Sequence, residues 1–168
     1  MFEIKKIGVD EADRLKALIA DIENSLPDKL FWLPIKEKEE ANFFNDEWTY
    51  FVGVFDREDL VAAAALFFNE FEFGDSLRSI GMERELFPFC AEIGRCMVKP
   101  SCRGMNFMSS MIEVLAKEAR TRGKKYLIAT AHPQNTASRR SLEKAGMKKI
   151  AETIKCGIYP RCIYMMKA

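Results

Sequence analysis

The stretch EIGRCMVKPSCRGMNFMSSMIEVLAKEARTRGKKYLIATA (Glu92–Ala131) decides the fold. Its left part reads as the end of a strand that begins near Phe89, and Pro100 stops it because proline cannot donate to a sheet ladder. From about Asn106 to Arg122, Met105, Met108, Met111, Ile112, Leu115 and Ala119 recur at helical spacing, and Gly123 closes the helix. KYLIATA (Lys125–Ala131) is an apolar run of strand length. Strand, helix, strand in so short a span is a crossover unit, which places both strands in one sheet.

Outward from this unit the pattern stays regular. Toward the N-terminus, FEIKKI (Phe2–Ile7) alternates as a half-buried strand does, and Asp10 is placed to cap a helix whose apolar face is Leu15, Leu18, Ile19, Ile22 and Leu26. Pro27 and Pro34 interrupt the chain before a short helix in residues 36–46. WTYFVGVFD and LVAAAALFFNE form a hairpin around Asp56–Asp59, and residues 69–89 read as irregular. Toward the C-terminus, a helix from about Asn135 ends at Gly146, and KKIAETIKC and RCIYMMK pair around a turn at Gly157–Pro160. The order is strand, two helices, three strands, helix, strand, helix, two strands. That is an α/β chain with a mixed, mostly antiparallel sheet of about seven strands and about four helices.

The 168 residues, 48% of them hydrophobic, fit a single domain spanning 1–168 with room for a core and a cleft. With 26 basic and 25 acidic residues the net charge is +1, which points to neither nucleic acid nor an anionic membrane as partner. No basic leader and no apolar run of membrane-spanning length is present, so a cytoplasmic protein is expected. The five cysteines form no CxxC pair and have one His to join them, so they read as reduced structural thiols rather than metal ligands.

The junction after Val98 carries the chemistry. A helix entrance following a strand presents free backbone N–H groups and partial positive charge, a setting for phosphate. Arg103 adds a forked donor, Lys99 stands near, and Ser109 and Ser110 add hydroxyls. These residues alone leave two readings open, a phosphate cradle and a plain surface helix entrance.

V-x-P-x-x-R-G leaving a strand (Val98–Gly104), followed after helix and strand by N-x-x-S-x-x-x-L-E-K-A-G-M (Asn135–Met147), resembles the GNAT superfamily of acetyl-CoA-dependent N-acetyltransferases. The motif similarity spans about residues 91–150, and the element order matches along the whole chain. The family loop R/Q-x-x-G-x-G/A falls on Arg103, Asn106 and Met108, so two signature glycine positions differ. Asn tolerates a left-handed backbone, and Met108 must turn its side chain toward the core.

The resemblance implies a splayed strand pair holding acetyl-CoA as cosubstrate, with no metal. Cys96, Met97 and Val98 would meet the pantetheine. Arg103, Gly104, Met105, Asn106, Phe107, Met108 and Ser109 would hold the pyrophosphate, with Asn135, Ser138 and Ser141 alongside. It also implies a strand bulge, the Val98 amide as oxyanion donor, and Glu92 as general base on a strand it shares with Gly94, Cys96 and Val98. The family's usual thiolate-protonating Tyr position falls on Leu142, so Ser138 is the first substitute and Ser141 the second. Ser at that place is similar to the ribosomal-protein N-terminal acetyltransferase branch.

The function so implied is transfer of an acetyl group to an amine by direct attack. The alternative is a non-catalytic CoA-binding or regulatory module of the same fold. His132 reads as a structural hydrogen-bonding residue or a base, and Arg139, Arg140 and Lys144 as a basic helix face for the distal phosphate or for solvent. The acceptor, a small-molecule amine or a protein or peptide amine, would be selected by Ser25–Trp48 and Asn69–Phe89. The acids of the second segment suit a cation, with Trp32 and Phe73 as stacking faces.

Overall fold

The computed structural model describes residues 1–168. Its elements are β1 (Phe2–Lys6), α1 (Ala12–Ser25), α2 (Glu37–Ala41), β2 (Thr49–Asp56), β3 (Asp59–Phe67), α3 (Glu70–Ser79), β4 (Cys90–Val98), α4 (Phe107–Thr121), β5 (Tyr126–Ala131), α5 (Thr136–Lys144), β6 (Lys148–Lys155) and β7 (Tyr159–Lys167). The seven strands form one sheet in the order β1-β2-β3-β4-β5-β7-β6. Every pairing is antiparallel except β4 with β5, the pair joined by the crossover helix α4.

Strand β3 shows how the layers are built. It is buried on both faces, so its alternate side chains enter two cores. Ala62, Ala64 and Leu66 join a core under α4 and α5 with Met111, Ile112, Leu115 and Leu142. Ala63, Ala65 and Phe67 join a second core under α1 with Leu15, Leu18 and Ile22. The run of alanines lets both helix layers approach the sheet closely.

Four local expectations need correction. Residues 69–89 contain the helix α3, capped by Asn69, whose side chain accepts from the Phe71 N–H at 2.9 Å. Phe73 and Leu77, one turn apart, bury against Cys90, Ile128 and Ile163; Phe73 is therefore core and offers no stacking face. Asp10 does not cap α1: a short 3-10 turn (Val9–Glu11) precedes it, and Glu11 reaches back to the Gly8 N–H at 2.8 Å. Met105 lies ahead of α4 and is exposed, so it is not part of the apolar stripe. No helix is long and apolar enough to cross a membrane.

Candidate functional site

Strands β4 and β5 pair only from Cys90↔Tyr126 to Glu92↔Ile128, then diverge. On its other edge β4 stays bonded to β3, but between Ala63↔Met97 and Ala65↔Gly94 the register shifts. One residue on β3 is there opposed by two on β4, Arg95 and Cys96, which is a bulge, with Arg95 at φ +49°. Lys99 N–H donates to Val61 O at 2.9 Å, so by strand alternation the Val98 N–H points the opposite way, into the gap left by β5.

The bulge also flips side-chain parity. Ala91 and Ile93 belong to the α4 core, whereas Met97 belongs to the α1 core. Glu92 and Gly94 therefore share a face with Met97, while Cys96 and Val98 pack toward α4. The strand parity of Glu92, Gly94, Cys96 and Val98 is thus shifted at Arg95 by the bulge. Gly94 leaves room for its neighbours, since a Cβ there would press on the Phe67 ring at 3.0 Å.

The gap opens into a cleft of about 800 Å³. Glu92, Cys96, Met97, Val98, the turn Arg103–Ser109, Asn135, Ser138 and Ser141 all line it. At one end Gly104 (φ +82°) and Asn106 (φ +65°) take left-handed conformations and turn the chain into α4. Asn106 is thus a non-glycine residue in the place where a glycine serves most simply. The backbone N–H groups of Gly104 through Ser109 have no intramolecular acceptor, a row of donors at the positive end of a helix dipole.

Met108 packs its side chain against the α4 core, which frees its amide from steric cover. Lys144 Nζ donates to Asn106 Oδ1 at 2.7 Å and stiffens the turn. Asn135 caps α5, its Oδ1 accepting from the Ser138 N–H at 3.2 Å, and Ser141 Oγ donates to Ala137 O at 3.0 Å. Leu142 is core. The basic face divides: Arg140 and Lys144 line the cleft, whereas Arg139 donates to Tyr164 Oη and Pro133 O, both at 2.9 Å, and does not line it.

At the other end stand groups that sequence reasoning did not single out. Arg95 Nε and Nη2 clasp Glu39 Oε2 and Oε1 at 2.6 and 2.7 Å. Arg95 also donates to Leu33 O and Pro34 O at 2.6 and 3.2 Å and lies over the Trp32 ring at 4.9 Å. One side chain from the bulge thereby fixes the 32–39 wall. Glu72, from α3, accepts from Trp48 Nε1 at 3.2 Å. Burial, then the neighbouring Glu39, push its pKa up to about 7 against that hydrogen bond.

Glu92 is buried and its Oε2 has no hydrogen-bond partner. Burial raises its pKa above the ordinary carboxylate range, opposed by the charges of Lys155 and Arg95 and reinforced by Glu39. Cys96 is half-buried, and desolvation, then Glu92, push its thiol up to about 12. His132 does not line the cleft: its Nδ1 accepts from the Gln134 N–H at 3.0 Å and its ring packs on Phe31 at 4.7 Å. Its role is structural.

The geometry offers an anion cradle of backbone amides, a free amide facing a wedge between strands, and a buried carboxyl on the same cleft. The family model described as Acetyltransferase (GNAT) family matches residues 14–147. No curated protein sequence matches the chain. Among solved structures, an acetyltransferase of the GNAT family from Streptococcus pneumoniae superposes with a TM-score of 0.76 at 12% identity, covering 100% of both chains. An N-acetyltransferase from Staphylococcus aureus Mu50 gives 0.74 at 15% identity, covering 99% of this chain and 98% of that one. The structure of yncA from Salmonella typhimurium with its cofactor acetyl-CoA gives 0.71 at 16% identity, covering 99% and 93%.

Proposed function

The chain belongs to the GNAT acetyltransferase family, and on that premise we propose that it moves an acetyl group from acetyl-CoA to the nitrogen of an amine by direct attack. The observation that carries this reading is the coincidence, in one cleft, of the unpartnered amides of Gly104–Ser109, the Val98 N–H facing the β4–β5 gap and the buried Glu92 carboxyl. The cleft fits the cosubstrate: its amide row, Arg103, Arg140 and Lys144 match a pyrophosphate and phosphate, and the wedge admits an extended arm.

Acetyl-CoA bound there supplies a thioester carbonyl carbon to be attacked and a thiolate able to leave. Glu92, ionised, takes the proton from the acceptor ammonium, directly or through one water, so that the nitrogen lone pair is free. The Val98 N–H donates to the oxygen on which negative charge develops as the C–N bond forms. As the C–S bond breaks, the Ser138 hydroxyl relays to the sulfur the second proton, which the attacking nitrogen sheds on becoming an amide, and is itself left neutral. Leu142, at the place where the family commonly has Tyr, has no proton to give. A covalent route through Cys96 is disfavoured, since a thiol held near 12 supplies almost no thiolate at neutral pH.

Leu142 and Met108 are the observations that favour a second reading, a module that binds CoA without transferring from it. Thiol release from acetyl-CoA over a panel of primary amines separates the two; acetyl-CoA binding with no thiol release from any amine selects the module.

A pH dependence follows from the first reading. A base with a raised pKa is inactive while protonated, so kcat at saturating acceptor climbs with pH through the raised Glu92 pKa and levels above it. The acidic limb therefore lies above the ordinary Glu value of about 4.3. A limb at or below that value removes the role assigned to Glu92. Glu72, with its pKa near 7, adds a second ionisation in the same window.

A further inference from the structure

The acceptor end of the cleft holds a cation that nothing in the chain neutralises. Arg161, at the start of β7, is 3% exposed, lines the cleft and pairs with no carboxylate. Its Nη1 donates to Leu30 O and Pro160 O at 2.8 and 2.7 Å, which leaves the Nε–H and the Nη2 amino group without an acceptor. A guanidinium keeps its charge in proteins, and a buried one without a counter-charge is costly. Two residues beyond Leu30, on the segment Arg161 bonds, the Trp32 indole N–H is likewise buried with no partner.

The surrounding charges sharpen the point. Arg95 is neutralised by Glu39. Lys155, which flanks the same β6–β7 turn as Arg161, also lines the cleft without a carboxylate partner. Asp75, also on the cleft, pairs with Arg78, and the acids left over are Glu72, whose pKa is pushed up to about 7, and Glu92. A purely cationic acceptor would meet Arg161 and Lys155, neither with a carboxylate partner of its own, contrary to what the acidic composition of residues 70–92 suggested. An acceptor that brings its own anion would meet two idle donors.

Resting on the acetyl-transfer reading for the identity of the cleft, we propose that the acceptor carries a carboxylate as well as its amine, an amino acid or a close analogue, and that Arg161 and Trp32 hold the carboxylate. The forked guanidinium suits a planar carboxylate, and the indole N–H gives a further donor. With the carboxylate fixed on the β7 side, the amine is left to face Glu92 and the β4 bulge. Arg161 is then a specificity-determining residue rather than a catalytic one.

The test uses acetylated compounds, so that it does not depend on turnover. N-acetyl derivatives of small, apolar and aromatic L-amino acids, each with its C-terminal amide, are titrated calorimetrically into the CoA-saturated protein. The acids bind at least about tenfold more tightly than their amides. In Arg161→Gln the ratio falls to near one, in Arg161→Lys it is partly kept, and Trp32→Phe reduces it about threefold to tenfold. Acetyl-CoA affinity and the thermal midpoint report that each variant is folded. Equal binding of acid and amide by the native protein, or a preference that survives Arg161→Gln, overturns the proposal. In parallel, free amino acids and their amides are assayed for thiol release from acetyl-CoA. A carboxylate preference in binding with no thiol release from any amine leaves the subsite standing and removes acetyl transfer. Thiol release with amides and acids used alike does the reverse.

Discussion

Replacing Glu92 by Gln lowers kcat by about two to four orders of magnitude while leaving acetyl-CoA affinity within about twofold. The substitution keeps the side chain's volume in a site where Glu92 is 8% exposed, and removes only its capacity to accept a proton. A second consequence follows from the burial of the carboxyl, whatever its role. Because the folded-state pKa of Glu92 lies above its unfolded value, the folded protein binds the proton more tightly than the unfolded chain does. Its stability contribution is therefore present at low pH and is lost as pH rises from the unfolded pKa through the folded one. Glu92→Gln has no such slope, so the variant gains stability relative to the parent as pH rises through that window. Thermal unfolding from pH 5 to 9 and steady-state assays together check this. A variant with parental kcat rejects Glu92 as base, whatever its stability.

Glu39→Ala destabilises the fold by about 3–5 kcal/mol, because it strands the Arg95 guanidinium in a site where the two side chains are only 10% and 4% exposed. Replacing both partners, as Glu39→Leu with Arg95→Met, costs much less, since no buried charge is then left alone. Denaturant unfolding of the two singles and the double measures the difference. Equal losses in the single Glu39 variant and the double would show that the pair is not the clasp described. The functional effect of the double variant falls on the acceptor side: without Arg95 to hold Leu33 O and Pro34 O, the Trp32 wall loosens, and the acceptor KM rises more than the acetyl-CoA Kd.

The parts of this molecule that were legible in the sequence are those whose signals are local. The apolar stripe of α4, the stop at Pro100 and the strand Tyr126–Ala131 each follow from periodicity and a breaker, and they locate the cleft. The capacity of Asn106 for a left-handed turn is likewise a property of one residue. The helix α3 was hidden because its apolar spacing amounts to Phe73 and Leu77 around a glycine, a weak signal that tertiary burial completes. Arg95 was hidden for a different reason. Its backbone conformation and its clasp with Glu39, 56 residues away, exist only once β3 and β4 have paired out of step.

The same holds for the charges at the acceptor end. A count of acids between Glu70 and Glu92 pointed to a cationic ligand, but the count does not register that Glu39 is spent on Arg95, that Asp75 pairs with Arg78, or that Arg161 arrives from the far end of the chain. Arg139 and Arg140 make the point in miniature. They are adjacent in sequence, and it is Tyr164 of β7 that draws one away from the cleft and leaves the other beside it.

The central claim is that the β4–α4 turn holds acetyl-CoA although Asn106 and Met108 stand where the family has small residues. Calorimetric titration of the purified protein with acetyl-CoA, beside Arg103→Glu, tests it most directly. The account predicts micromolar binding, weakened by at least about thirtyfold when charge is reversed at residue 103. No binding by the native protein, or equal binding by the Arg103→Glu variant, would contradict it.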